Sequence, residues 1–258
     1  MNESVILDEI RSKLPFQTPV SLGRNASGGP KTIALTSPEG KVLAIARISL
    51  QGEFSAQTLA DNPNAWLCEA EVLTYLTSQG SSSVPLAAHS GFSVEEGWSY
   101  AVMPDYSATH FKYTPSKSGA YPPIAGKHRW QVAKALAEII DIGLTNPHLA
   151  QRVTDVVKTC DEPLLKRHPL CIANGSLKFS SFFFPVQSSA PAVIAAWHRA
   201  RICRVPRMLA DLRESDRLRF ESFRPEDFLE LLFSLSQTLK KKISKDRFVS
   251  ETMEILKK

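Results

Sequence analysis

Between residues 4 and 14 the apolar positions Val5, Ile6, Ile10 and Leu14 fall on one face of a helix. Residues 22–29 (LGRNASGG) break that rhythm. Two β-like runs follow, 32–35 and 42–48, separated by Pro38, Glu39 and Gly40, which predicts a hairpin. Residues 51–64 read as a loop. The clearest early helix is 65–78, where Leu67, Ala70, Leu73, Leu76 and Thr77 lie near one face and Asn64 can cap the start. Two more strands are expected at 86–92 and 98–103. The pattern then lapses over 107–127, rich in Ser, Pro, Gly and Lys, which reads as a loop or connection. A strongly amphipathic helix covers 128–143, with Val132, Leu136, Ile139 and Ile140 inward and Gly143 as its stop. Further helices are expected at 147–159, 206–215, 225–242 and 245–257.

The stretch 168–185 (HPLCIANGSLKFSSFFFP) stands out from this background. A short apolar start leads into the polar turn Asn174-Gly175-Ser176, then into Phe182, Phe183 and Phe184, which read as core. A second apolar run, 192–197 (AVIAAW), follows. The pair predicts short buried strands framing a tight polar loop. The overall order is strands with one helix, then mostly helices around a small strand pair. That is an α+β chain with a β-rich N-lobe (1–106) and an α-rich C-lobe (107–258), together one domain.

Composition narrows the class without changing this picture. The 258 residues suffice for one large domain or two packed lobes. Hydrophobic residues make up 43% and charged residues 22%, as in ordinary globular proteins. No apolar run reaches the ~18 residues of a membrane span, and the acidic start MNESVILDEIRSK is unlike a secretory signal. The cysteines Cys68, Cys160, Cys171 and Cys203 form no CxxC pair, so reduced thiols in a cytoplasmic protein are expected. The net charge of +5 is spread along the chain apart from 199–207 and 240–245.

The order of elements, with the residues at their joints, resembles the aminoglycoside phosphotransferase and choline-kinase branch of the protein-kinase-like superfamily, over roughly residues 20–212. LGRNASGG sits where that family has its phosphate-covering loop, and VLAIARI where it has the strand bearing a nucleotide-binding lysine. WLCEAEVLTYL resembles the helix that carries the partner glutamate, with Glu69 at that position. SSSVP matches the step after that helix, and SYAVMPDY the strand entering the interlobe hinge. IANGSLKFSSFFF sits on the HGDLxxxNxLV loop, and AVIAAW on the VIDW metal-binding strand. The resemblance implies a two-lobed kinase-like fold and a nucleotide cleft built from Arg47, Glu69, Met103 and Asp105.

The departures from the family pattern bear on chemistry. Arg47 replaces the lysine and keeps the charge, but its planar fork places it differently. Ser176 stands where the catalytic aspartate would be, and a serine hydroxyl is a poor base near neutral pH. Asn174 takes the place of the histidine, Ser181 of the magnesium-binding asparagine, and Ala196 of the magnesium-binding aspartate. Alanine cannot ligate a hard cation. Losing the base and the metal clamp together removes on the order of 10²-fold or more in rate for each. Asp105, His198, Asp211 and Glu214 are the reserves, with no motif aiming them at a phosphate. No cofactor is therefore expected, and ATP binding stays open.

Other candidates carry plainer alternatives. On its helix alone, Glu69 reads as solvent-facing, like Glu71. Arg47, Arg199, Arg201 and Arg204 either neutralise a pocket for an anion or lie on the surface. The six histidines show no HxH or HxxxH spacing, and no metal site is expected. HFKY (110–113) and HRW (128–130) interleave bases with aromatics, as base-stacking surfaces do, but each is short and reads as loop or helix start. The C-terminal apolar positions Leu239, Ile243, Phe248, Met253 and Leu256 dock on a partner or, more simply, on their own lobe. Three functions follow: a catalytically degenerate kinase-fold module that binds another protein; a working small-molecule phosphotransferase with displaced residues; or a nucleic-acid-associated protein using Arg199, Arg201, Arg204, Lys240, Lys241 and Lys242.

Overall fold

The computed structural model describes residues 2–23, 30–50, 69–93, 96–113, 126–143, 164–175, 177–186, 190–195, 197 and 200–257. Helix α1 (Glu3–Lys13) opens at Asn2, whose side chain accepts from Val5 N. Strands β1 (Thr18–Gly23), β2 (Lys31–Thr36), β3 (Val42–Ser49), β4 (His89–Ser93) and β5 (Trp98–Met103) form an antiparallel sheet in the order β1-β2-β3-β5-β4. The expected hairpin is β2–β3. Strand β1 was not anticipated, because its residues are exposed and lack an apolar alternation. Strand β4 begins later than expected, at His89, with Ala88 N already bonded to Val102 O.

Alternation along the strands divides the sheet between two cores. Ile33, Leu35, Ala46, Ile48, Tyr100 and Val102 pack with Ile6 and Ile10 of α1. The Tyr100 hydroxyl also donates to Glu9 Oε1 at 2.6 Å. The opposite face belongs to the main core: Ala101 and Met103 join Ala70, Leu73 and Leu76 of α2 (Glu69–Ser78) and the whole C-terminal half. One apolar core therefore runs from the N-terminal sheet into the helices.

Helix α3 (Gly126–Ile142) is the spine of that half, with Val132, Leu136, Ile139 and Ile140 buried as its spacing predicts. Around it lie β7 (Leu170–Ala173), β10 (Arg201–Arg204), α4 (Val205–Ser215), α5 (Arg217–Ser222), α6 (Pro225–Leu235), α7 (Gln237–Lys242) and α8 (Lys245–Lys257). Leu239, Phe248 and Leu256 are buried in the main core, so the C-terminal helices dock on their own lobe.

Two expectations need correction. Residues 107–127 are not all loop: β6 (His110–Lys112) pairs with β8 (Phe182–Pro185), which pairs with β9 (Val193–Ile194). The expected strand pair is β8–β9, while β7 pairs with β10. That pairing makes a strand of part of the basic segment, Arg201–Arg204. The single helix expected over 225–242 breaks at Ser236, an extended residue whose hydroxyl accepts from Leu239 N and so caps α7. The expected helix at 147–159 and the LGRNASGG loop from Arg24 onward lie outside the described residues.

Candidate functional site: the interlobe cleft

On β3, Ala44, Ala46 and Ile48 face α1, so the pleat turns Ile45 and Arg47 towards the second lobe. Arg47 Nε donates to Glu69 Oε2 at 2.8 Å, and its Nη1 lies 3.5 Å from Thr32 Oγ1. Glu69 is only 4% exposed, which corrects the solvent-facing reading of it. Its other oxygen, Oε1, accepts the backbone N–H of Trp197 at 2.8 Å. One carboxylate thus joins the sheet, α2 and the segment following β9. Trp197 is fixed in turn, its indole N–H donating to Ile194 O.

Beside this clamp, Asn174 is 2% exposed and its amide donates to Ala195 O at 2.9 Å. Ala195 N donates to Ser181 O at 2.9 Å, and Ser181 is itself buried. The turn between them passes through Gly175 at φ +71°, a left-handed conformation that suits glycine. These bonds bring the end of β7, the start of β8 and the end of β9 together. Ser176 and Ala196 lie outside the described residues, as do His198 and Arg199.

The other cleft candidates have structural partners. Met103 is buried and pairs with Ile45 across β5 and β3. The Asp105 carboxylate accepts from Ser107 N and Oγ, both at 2.9 Å, and caps the turn Tyr106–Ala108. Arg201 Nη2 bonds both oxygens of Asp211, at 2.6 and 2.5 Å, which occupies one of the reserve acids. Burial pushes the Asp211 carboxyl up, against the pull of Arg201. Arg204 Nη1 donates to His168 O at 2.7 Å. Both arginines therefore tie β10 to its neighbours. Lys240, Lys241 and Lys242 are exposed on the last turn of α7, where cations complement the helix dipole.

Sequence reasoning missed the other side of the cleft. Lys112 on β6 stands opposite Phe183 of β8, with its ammonium 5.0 Å over the Phe183 ring, and the Tyr106 ring lies 6.0 Å from it. Lys112 is exposed as a whole residue, yet burial of its ammonium, reinforced by the charge of Arg47, pushes its pKa down. The signal was the HFKY interleaving, but nothing in it indicated a strand.

Magnesium does not fit what the described residues offer. Of the positions that the resemblance gives to magnesium, Ser181 carries a neutral hydroxyl and Ala196 lies outside the described residues. A hard cation wants carboxylate oxygens, and among the described residues no three His, Cys, Asp or Glu side chains converge.

No protein-family model matches the chain, and no curated protein matches its sequence. Solved structures do match in fold. An ethanolamine kinase of Plasmodium vivax superposes with a TM-score of 0.56 at 11% identity, covering 99% of this chain and 80% of that one. This chain shares the kinase-like fold of that structure. The amicoumacin kinase hAmiN, in complex with AMP-PNP, calcium and Ami, gives 0.52 at 10% identity over 99% of this chain and 84% of that one. The macrolide 2'-phosphotransferase MphH of Brachybacterium faecium gives 0.50 at 10% identity over 97% and 87%. Within the kinase-like fold the Arg47–Glu69 pair joins the same two elements as the lysine–glutamate pair the resemblance implied. Among the described residues no helix is long and apolar enough to cross a membrane.

Proposed function

We propose that the chain is a kinase-fold binding module that transfers no phosphate and acts as a scaffold or regulator of another protein. The observation that carries this reading is the use of Glu69. One oxygen neutralises Arg47 and the other holds the Trp197 backbone, one residue after the position where the resemblance implies a metal-binding aspartate and the sequence has Ala196. The Asn174 amide nitrogen and the Ser181 backbone carbonyl both bond the Ala195 backbone. A protein partner is favoured over nucleic acid, because Arg201 and Arg204 use guanidinium donors on Asp211 and on the His168 carbonyl.

The test is phosphoryl transfer from radiolabelled ATP by the full chain with magnesium, over a panel of hydroxylated small molecules, paired with melting curves. Expected are no transfer and a melting temperature that ATP moves equally with magnesium or with chelator. Magnesium-dependent transfer to any acceptor would overturn the reading. It would support the alternative, an active small-molecule phosphotransferase, which the kinase and phosphotransferase activities of the structural neighbours favour. In that case ATP and magnesium together would raise the melting temperature, since a ligand stabilises the state that binds it.

A further inference from the structure

Cys171 and Cys203 stand directly opposite each other in the β7–β10 ladder. Directly opposed residues of an antiparallel pair project to the same face. The Cys171 thiol donates to the Cys203 carbonyl at 3.6 Å and lies 3.9 Å from Met208 Sδ. Cys171 is fully buried, whereas Cys203 is partly exposed. From these positions we infer that Cys171 and Cys203 are a thiol–disulfide exchange site, closed by reaction with a low-molecular-weight disulfide such as oxidised glutathione.

The ladder sets the geometry. Val205 N donates to Pro169 O at 3.2 Å, one step beyond the paired residues. Alternation then makes Cys203 and Cys171 a hydrogen-bonded pair, with Cα atoms ~5.5 Å apart. That falls inside the ~4.4–6.8 Å range of disulfides. Opposed Cβ atoms sit ~4.5–5.5 Å apart, slightly wider than the ~3.5–4.5 Å a disulfide takes. Closing the bond therefore draws the strands together, and such a bond is of the readily reduced kind.

The order of events follows exposure. The Cys203 thiolate attacks the glutathione disulfide, forming a mixed disulfide and releasing one glutathione thiolate. The Cys171 thiolate then attacks the Cys203 sulfur and releases the second. Two protein thiols become one disulfide and one glutathione disulfide becomes two glutathione thiols, so electrons and protons balance. The Cys203 thiol against it, together with burial, holds the Cys171 thiol well above its ordinary pKa. The second step is therefore the slow one. The product staples the strand that leads into Asn174 to the strand that carries Arg201 and Arg204.

The test uses the folded full chain in oxidised glutathione, quenched with an alkylating agent and digested without reductant. A linked peptide containing Cys171 and Cys203, short by two hydrogen atoms and split again by excess reduced glutathione, is expected. Cys171→Ser should accumulate glutathione on Cys203 instead. A wild-type digest in which both thiols are alkylated, or Cys203 keeps glutathione with no linked peptide, would overturn the assignment. Linkage that appears only in denaturant would overturn it equally. The wild-type measurement decides the matter even where the variant fails to fold.

Discussion

Removing the Glu69 carboxylate withdraws the acceptor from two donors at once, Arg47 Nε and the Trp197 N–H. Breaking one side of a buried ion pair costs about 3–5 kcal/mol, far more than an exposed pair, because the remaining charge stays buried. Glu69→Ala should lower the urea unfolding free energy by that order. Glu69→Gln keeps an oxygen acceptor and should cost less, while an equal loss in the two variants would place the energy in packing instead. The spacing of Arg47 and Glu69 made their pairing legible through the family resemblance. Helical propensity alone pointed the other way, since an isolated helix gives no reason to bury a glutamate. The second partner was illegible in any reading of side chains. It is a backbone N–H, which every residue but proline carries, and only the fold brings this one to α2.

At the scale of elements, side chains from α3 hold the ends of other segments. Asp141 accepts from Ser236 Oγ at 2.7 Å, Gln237 N at 3.0 Å and Thr238 N at 2.8 Å, covering the start of α7. Asp141→Ala should therefore cost about 1–2 kcal/mol, as the loss of a good helix cap does, read from the urea midpoint with an unchanged slope. Glu138 does the same for the loop after α2, accepting from Ser81 Oγ, Ser82 N and Oγ, and Ser83 N at 2.5–3.0 Å. Glu138→Ala should be the costlier change, because it leaves two backbone donors and two hydroxyls to find new partners. If Glu138→Ala is neutral, the serine loop is held by packing alone. These ties also explain where sequence reading stopped. Helix α3 was legible because its apolar face imposes a clear period, and the β2–β3 hairpin and β5 because short apolar runs end at turn residues. The α6–α7 break was not, because Leu232, Leu235 and Leu239 continue an apolar rhythm through Ser236. Strand β6 was hidden for a different reason: it is three residues long and mostly exposed, and it exists because β8 offers it an edge.

For the molecule as a whole, the main core is continuous from α2 and β5 to α8, so the two halves should unfold together. The pH dependence of that transition follows from where histidines sit. His168 is 1% exposed, with Nε2 bonded to Glu251 Oε2 at 3.1 Å and Nδ1 buried without a partner among the described residues. Burial lowers its pKa, with Arg204 adding to the effect, and Glu251 only partly restores it. Burial also lowers His128, whose Nδ1 is 2.6 Å from the Tyr113 hydroxyl, and the more exposed His110. A histidine with its folded pKa below the ordinary 6.5 binds protons more readily when unfolded. Its contribution is complete above that value and is lost as the pH falls from about 6.5 towards the folded pKa. The melting temperature should therefore be level between about pH 8 and 7 and decline below about 6.5, at fixed ionic strength. His168→Gln cannot titrate and should flatten the decline, even where it lowers the plateau. An equal slope in the variant would assign the effect to His128 and His110, and no decline at all in the parent chain would contradict the lowered pKa of all three.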